Sequence, residues 1–188
     1  MYNFKPAKTR SIDWRKQAVN AGFSRAEWLD VGRLDFSDAA QLRKLCADNV
    51  CGSYGMDWTC PPGVGTPESC VARVRAYKRA LIVQYEQPLS DYSDKVKIDN
   101  IRSHFKKLMR GLLPAVRGKF PGVLPLGAGG CDICTVKCAY PGAPCRHPDI
   151  MIQSLSAFCV NAQRACDIAG IPCWRQGYLA FTGLFLLD

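Results

Sequence analysis

The sequence predicts an α/β fold in which a small sheet is flanked by helices and carries cysteine-rich loops at one end. Short apolar runs bounded by glycine or proline are typical of buried strands, and longer segments with an apolar residue at every third or fourth position are typical of helices. The two kinds of segment alternate along the chain. A chain of 188 residues is long enough for one domain with a hydrophobic core, so we expect a single domain over 1–188.

Two helices are predicted in the first half of the chain. Residues 37–49, SDAAQLRKLCADN, have Ser37 as a candidate N-cap and predict a short helix that ends soon after Cys46. In the segment TPESCVARVRAYKRA, Thr66 can cap a second helix and Pro67 suits its first position. We therefore expect a loop between these two helices.

Apolar patterns predict the elements that follow. Residues 80–86, ALIVQYE, are typical of a buried strand, and the segment from about Tyr92 to Leu113 has the apolar spacing of an amphipathic helix. The segment GVLPLGAGG predicts a short strand that runs into a glycine loop. SLSAFCVNAQRACDIAG predicts a helix that ends at Gly170, and GYLAFTGLFLL predicts a C-terminal strand.

Cysteine content indicates metal or redox chemistry. The first residues, MYNFKPAKTRSIDWRKQ, contain no secretory signal, and no apolar run is long enough to span a membrane, so we expect a cytoplasmic protein. Cytoplasmic thiols stay reduced, and the chain contains eleven cysteines. In that compartment such a number favours a metal site over a disulfide framework.

Four of the cysteines lie in residues 127–148, the C-terminal cysteine loop, with the spacing C-x2-C-x3-C-x6-C. Two thiols separated by two residues can reach one metal centre, and the preceding glycines let backbone N–H groups approach cluster sulfurs. Zinc usually takes paired C-x2-C knuckles from separate segments, so one compact segment favours a 4Fe-4S cluster, with zinc as the alternative. The predicted ligands are Cys131, Cys134, Cys138 and Cys145. Arg146 directly follows the last of them and is expected to contact the cofactor or an anionic substrate, or to form a structural salt bridge.

Four further cysteines lie in residues 46–70, the N-terminal cysteine loop. Its glycines and its two adjacent prolines prevent a continuous helix and can bring distant thiols together. This spacing matches no standard zinc motif, so both a second metal site and ordinary packing of buried cysteines are open. The predicted ligands are Cys46, Cys51, Cys60 and Cys70. The remaining three cysteines, Cys159, Cys166 and Cys173, are expected to pack in the core, the first two on one face of a helix.

Positive charge is concentrated in the predicted long helix. The chain has a net charge of +9, and Arg102, Lys106 and Arg110 recur at intervals of four residues. We expect these three to form a docking face for an acidic electron-transfer protein such as ferredoxin or flavodoxin. A solvated helix face and a nucleic-acid surface are the alternatives, although no nucleic-acid-binding motif accompanies the charge.

Three segments together carry a resemblance to a known family. CADNVCGSYGMDWTCPPGVGTPESC, YKRALIVQYE and GAGGCDICTVKCAYPGAPCRHPDIMIQSLSAF resemble a prokaryotic family of predicted metal-binding proteins, marked by Cys-Pro-Pro and by a later cysteine-rich segment that ends in Cys-Arg-x-Pro. The resemblance spans about residues 46–185 and implies a cytoplasmic cluster-binding protein, frequent in anaerobes, but no particular reaction. Members of the family usually have the segment Ser-Met-Glu-Ala at this place. Residues 154–157 of this chain are Ser-Leu-Ser-Ala, so the chain lacks the acidic residue. The ligands that it implies are Cys46, Cys51, Cys60, Cys131, Cys134, Cys138 and Cys145.

Three hypotheses for function follow. The first is a redox protein whose one or two 4Fe-4S clusters serve electron transfer or a reductive reaction. The second is an enzyme in which one iron lacks a protein ligand and binds a small sulfur- or oxygen-containing substrate, as in sulfur removal. The third is a zinc-binding structural or nucleic-acid-binding module.

Overall fold

The structure is a computed structural model that describes residues 12–188. It confirms the α/β prediction, with one five-stranded sheet and helices on both faces of the sheet. Two short 3-10 turns, Val31–Arg33 and Pro148–Ile150, lie in the connections. The strands are β1 (Arg25–Asp30), β2 (Arg79–Pro88), β3 (Leu124–Gly127), β4 (Gln153–Ser154) and β5 (Tyr178–Leu187), and the helices are α1 (Trp14–Asn20), α2 (Ala39–Ala47), α3 (Pro67–Arg75), α4 (Lys95–Lys119) and α5 (Ala162–Ala169).

The strands are arranged in the order β1-β2-β5-β3-β4. Every neighbouring pair is antiparallel except β3 and β4, which run parallel. The central pair, β2 and β5, is matched along its whole length, from Arg79 opposite Leu187 to Pro88 opposite Tyr178. Both strands are apolar over most of their length, which suits strands that are covered on both faces.

Alternate residues of β2 enter two separate hydrophobic clusters. Ile82 belongs to the cluster that includes residues of α3 and α5, whereas Leu81 and Val83 belong to the cluster that includes residues of α1 and α4. This division follows from the strand geometry, since successive side chains point to opposite faces of a sheet. The sheet is therefore a central layer between two helical layers.

The helix boundaries confirm some of the predicted ends and correct others. Thr66 caps α3 by accepting a hydrogen bond from the Ser69 backbone N–H, and Gly170 ends α5 with φ +69°. Ser37 is not the N-cap of α2: that position is Asp38, and the Ser37 hydroxyl instead donates to Asp35.

The helix before Gly170 is shorter than predicted, because it begins at Ala162, where Asn161 accepts hydrogen bonds from two backbone N–H groups. Cys159 lies in the preceding loop with φ +61°, so the prediction that it shares a helix face with Cys166 is wrong. Both side chains are nevertheless buried, and Cys173 packs against the same hydrophobic cluster as Cys166. Within residues 12–188, none of the helices has the length and apolar character that crossing a bilayer requires.

Candidate metal centre

Three predicted ligands of the C-terminal cysteine loop line one cavity. The cavity has a volume of about 400 Å³, and Cys131, Cys134 and Cys138 form part of its wall. The opposing wall comes from the N-terminal cysteine loop, through residues 52–57. All three cysteines are half-buried. The structure therefore brings these thiols around a common space that the two cysteine loops enclose.

Nitrogen donors lie next to the sulfur atoms of this loop. The Tyr140 backbone N–H donates to the Cys138 Sγ at 3.5 Å, and the His147 backbone N–H donates to the Cys145 Sγ at 3.4 Å. The guanidinium of Arg146 lies 3.9 Å from the Cys134 Sγ. Such donors stabilise a thiolate relative to a thiol, because they favour the charged form. The loop thus places N–H donors beside three of its four sulfurs.

The fourth thiol of the loop, Cys145, lines a different cavity. Cys145 lines a second cavity of about 480 Å³, together with Trp58 and the segment 141–144. Arg146 links the two parts of the loop, since it also donates to the Lys137 carbonyl at 3.0 Å. The structure therefore places three predicted ligands together and the fourth beside them in the same loop.

Asp57 joins the two cysteine loops, and sequence reasoning missed it. Its side chain is 6% exposed, and one carboxylate oxygen accepts from the backbone N–H and the hydroxyl of Thr59 at 2.8 and 2.7 Å. The other oxygen accepts from the Cys131 backbone N–H at 3.0 Å. A Cβ at Gly130 would lie 2.8 Å from this carboxylate, so the close approach requires glycine. The signal in the sequence that could have identified Asp57 is the presence of an acidic residue within a cysteine-rich loop.

Aromatic contacts add to this connection. The ring of Trp58 meets the ring of Tyr140 edge-on, with 4.9 Å between the centroids. The indole N–H of Trp58 also donates to the Ala143 carbonyl at 3.1 Å. The N-terminal and C-terminal cysteine loops are thus in direct contact, although about 60 residues separate them along the chain.

Two of the three predicted docking residues of α4 contact the C-terminal cysteine loop, which corrects the docking-face prediction. Lys106 is only 8% exposed, and its ammonium donates to the Gly130 carbonyl and lies 3.9 Å from Asp132. Arg110 pairs with Asp132 at 2.6 Å. The Arg102 guanidinium forms an ion pair at 2.7 Å with Asp99 of the same helix. The three cations therefore do not form a free, exposed docking face, because two of them are used to hold the loop.

Burial favours the neutral forms of two groups beside the glycine segment, Lys106 and Cys131. It lowers the pKa of the Lys106 ammonium, and the nearby Asp132 carboxylate opposes this effect. Burial likewise raises the pKa of the Cys131 thiol. Because metal ligands must be thiolates, metal binding here has to release protons.

In the N-terminal cysteine loop, Cys46, Cys51 and Cys60 lie close enough to influence one another electrostatically. Burial, followed by the Asp57 carboxylate, raises the pKa of Cys60 to about 12, and the Cys51 and Cys46 thiols add to this rise. Burial also raises the pKa of Cys46. Cys51 itself is exposed.

Cys70 is carried by a helix and belongs to the hydrophobic core. It is fully buried on α3, where its thiol donates to the Val64 carbonyl at 3.5 Å. It belongs to the hydrophobic cluster on that face of the sheet. Arg43 lies 3.8 Å from its sulfur and donates to the Ala157 and Gly65 carbonyls.

All eleven cysteines are free thiols. Among the residues from 12 to 188, no three His, Cys, Asp or Glu side chains lie close enough together to hold a single metal ion. The thiolates of a cubane bind four separate irons and lie farther apart than thiolates that share one zinc ion. Three thiols of the C-terminal cysteine loop line a common cavity and N–H donors lie beside the sulfurs of the loop, and a donor set of this kind suits such a cluster.

A family model described as "Predicted metal-binding protein (DUF2284)" matches residues 27–187. The chain therefore belongs to this family of predicted metal-binding proteins. A search of curated proteins found no match to the chain, and a search of solved structures found none either.

Proposed function

We propose that this protein is an iron–sulfur redox protein in which the C-terminal cysteine loop holds a 4Fe-4S cluster. The observation that carries the proposal is the cavity of about 400 Å³ whose wall contains Cys131, Cys134 and Cys138. Cys145, in the same loop, is the fourth proposed ligand. When bound, such a cluster supplies one-electron transfer for a carrier protein or for a reductive reaction.

The chain's own residues prepare this loop for an anionic group. Backbone N–H groups donate to the sulfurs of Cys138 and Cys145, and the guanidinium of Arg146 lies beside Cys134. The Lys106 ammonium contacts the glycine segment by donating a hydrogen bond to the Gly130 carbonyl. These donors and charges offset the negative charge of bound thiolates.

The first test is the spectrum of protein purified without oxygen. We expect a brown protein whose visible absorption bleaches on reduction with dithionite, because iron–thiolate bonds absorb visible light and zinc–thiolate bonds do not. Iron analysis after reconstitution should give at least about four irons per chain, since a cubane holds four. A colourless protein that contains zinc would contradict the proposal, and fewer than about three irons would exclude a complete cubane.

A second cluster at Cys46, Cys51 and Cys60 is the second candidate, and the placement of Cys70 favours it in a particular form. Cys70 is fully buried in the core, and its thiol donates a hydrogen bond to the Val64 carbonyl. The thiols of Cys46, Cys51 and Cys60 remain for the proposed site. A cluster with three protein ligands has one iron that can bind a small substrate through sulfur or oxygen. This arrangement would make the protein an enzyme as well as an electron carrier.

A pair of variants tests this second site. Cys51→Ala should remove about one cluster, roughly four irons per chain, while Cys70→Ala should leave the iron content unchanged. If Cys51→Ala loses no iron, the N-terminal cysteine loop holds no cluster. If both variants lose the same amount, Cys70 is a ligand, the site is closed, and plain electron transfer is the better description.

We also propose an acidic electron carrier as the redox partner and the cytoplasm as the location. The net charge of +9 supports the first, and the eleven free cysteines, which need a reducing compartment, support the second.

A further inference from the structure

The second cavity, of about 480 Å³, has the composition of a small-molecule site. Its walls are mostly apolar and include Trp58, Val64 and Met151, together with the prolines at 141 and 144. Ligand sites in proteins commonly have volumes of about 300–1,000 Å³ and combine apolar walls with a few polar groups. This cavity has both properties.

Arg73 is the charged group of this cavity. Among the described residues that line the cavity, it alone belongs to the charged types, and it forms none of the ion pairs found in residues 12–188. Its guanidinium carbon lies 4.7 Å from the centre of the Phe158 ring, which is fully buried. Arg73 is exposed, and stacking on this ring restrains its guanidinium and leaves the N–H edge available.

Gln153 supplies a second polar group. It lies in the cavity wall and is 6% exposed, and its side-chain Oε1 has no hydrogen-bond partner within residues 12–188. A buried acceptor without a donor is destabilising, so a donor from a ligand would be favourable here. The amide nitrogen of Gln153 has only a long contact, 3.9 Å, with the Met151 sulfur.

From these observations we propose that the cavity binds a small organic acid: a carboxylate on an aromatic or branched apolar body that also carries a hydrogen-bond donor. A planar guanidinium binds a carboxylate through two parallel hydrogen bonds, which matches the one cation present. Apolar walls bury the body of the ligand. The inference rests on the walls of the cavity and not on the proposed cluster. A bound acid would nevertheless lie next to Cys145, which is a proposed cluster ligand.

The test is calorimetric titration of the full-length chain, purified without oxygen, with phenylacetate and 4-hydroxyphenylacetate and with the amide of each acid. We expect both acids to bind, the hydroxylated one more tightly. Arg73→Gln should weaken acid binding by about tenfold or more, because it removes a charge-assisted pair, and should change amide binding little. The matched control is Arg75→Gln, on the same helix, whose guanidinium lies over the Phe36 ring and outside the cavity. This control should bind as the unaltered chain does.

A second variant tests the location. A Cβ at Gly142 would meet its nearest atom only at 3.9 Å, so the backbone accepts a side chain there. Gly142→Phe should fill the cavity and abolish binding of the acids and the amides alike. The proposal is overturned if neither acid binds with a Kd below about 1 mM. It is equally overturned if Arg73→Gln and Arg75→Gln bind the acids equally, or if Gly142→Phe leaves binding intact. The Arg73 and Arg75 variants change no residue of either cysteine loop, so the proposed function can fail or succeed separately.

Discussion

The two cysteine loops hold their thiols in different ways. In the C-terminal cysteine loop, three half-buried thiols share one cavity, and N–H groups donate to the sulfurs. In the N-terminal cysteine loop, Cys51 is exposed, Cys60 is buried and Cys70 belongs to the hydrophobic core. Three of the four thiols in the short segment share one environment, whereas the thiols spread over a longer loop and a helix each follow the element that carries them.

Charged groups lie beside both cysteine loops. Lys106 and Arg146 contact the C-terminal cysteine loop, and Arg110 is tied to it through Asp132. In the other loop, Arg43 lies 3.8 Å from the Cys70 sulfur, and the Asp57 carboxylate adds to the burial that raises the pKa of both Cys60 and Cys131. We regard the C-terminal cysteine loop as the primary site because three of its thiols share one cavity.

The largest effect is expected for Cys134→Ser. This variant should lose about one cluster, roughly four irons per chain, and should be less soluble, because a loop-rich region without its metal has little apolar core to hold it. Iron analysis and the visible spectrum provide the measurement. Cys173→Ser, outside both cysteine loops, is the control and should keep its iron. A Cys134→Ser protein that stays fully brown and folded would exclude Cys134 as a ligand.

A smaller effect, shared by both loops, is expected for Asp57→Asn. The amide is similar in size but offers one acceptor oxygen, so either Thr59 or the Cys131 N–H loses its partner, at a cost of about 1–3 kcal/mol in unfolding free energy. Denaturant unfolding of the iron-free chain measures this cost. The control is Asp48→Asn, which removes a surface pair with Lys44 and should cost less than about 1 kcal/mol. Equal costs for the two variants would show that Asp57 does not join the loops.

Lys106→Met should loosen the C-terminal cysteine loop alone. The substitution leaves the Gly130 carbonyl without its donor and removes a cation next to Asp132. We expect faster amide hydrogen exchange in residues 127–148 and little change in residues 46–60. Lys107→Met, one residue away and exposed, is the control and should leave both segments as they are. Faster exchange in both segments, or in neither, would contradict the assigned role.

The effect that is smallest at neutral pH is a dependence of stability on pH that involves Cys60. An unfolded thiol ionises near its ordinary pKa of 9.0, whereas burial and Asp57 raise the pKa of folded Cys60 to about 12. The folded state therefore keeps a proton that the unfolded state releases. This contribution is complete below pH 9.0 and is lost as the pH rises toward about 12, by at most about 1.4 kcal/mol for each pH unit.

Denaturant unfolding of the iron-free chain measures this dependence. Cys60→Ser should show a shallower decline in stability above pH 9.0 than the unaltered chain, because serine does not ionise in this range. An identical decline in the two proteins would show that Cys60 ionises as readily when folded as when unfolded.

Much of the fold could be predicted because strong local signals agree with the tertiary structure. The apolar runs of β2 and β5 and the Thr66-Pro67 start of α3 were all predicted. The first helix and strand were missed. The helix α1 has only seven residues, and in β1 the buried positions, Ala26 and Leu29, do not alternate, so neither element has a clear period.

The candidate site could be predicted only in part. Cysteine spacing identified the C-terminal cysteine loop, but no local pattern shows that Asp57 reaches Cys131 or that Lys106 is buried against Gly130. These contacts join residues that are distant in sequence, and only the packing of the helix and the two loops brings them together. The helical stripe of cations was detected correctly, and its orientation toward the loop was not.

Native mass spectrometry of the intact chain, purified and sprayed without oxygen, tests the central claim most directly. We expect the mass of the chain plus one or two complete 4Fe-4S units, and one unit fewer for Cys134→Ser. A chain that carries only zinc ions, or an iron–sulfur unit that remains on Cys134→Ser in full amount, would contradict the claim that the C-terminal cysteine loop holds the cluster.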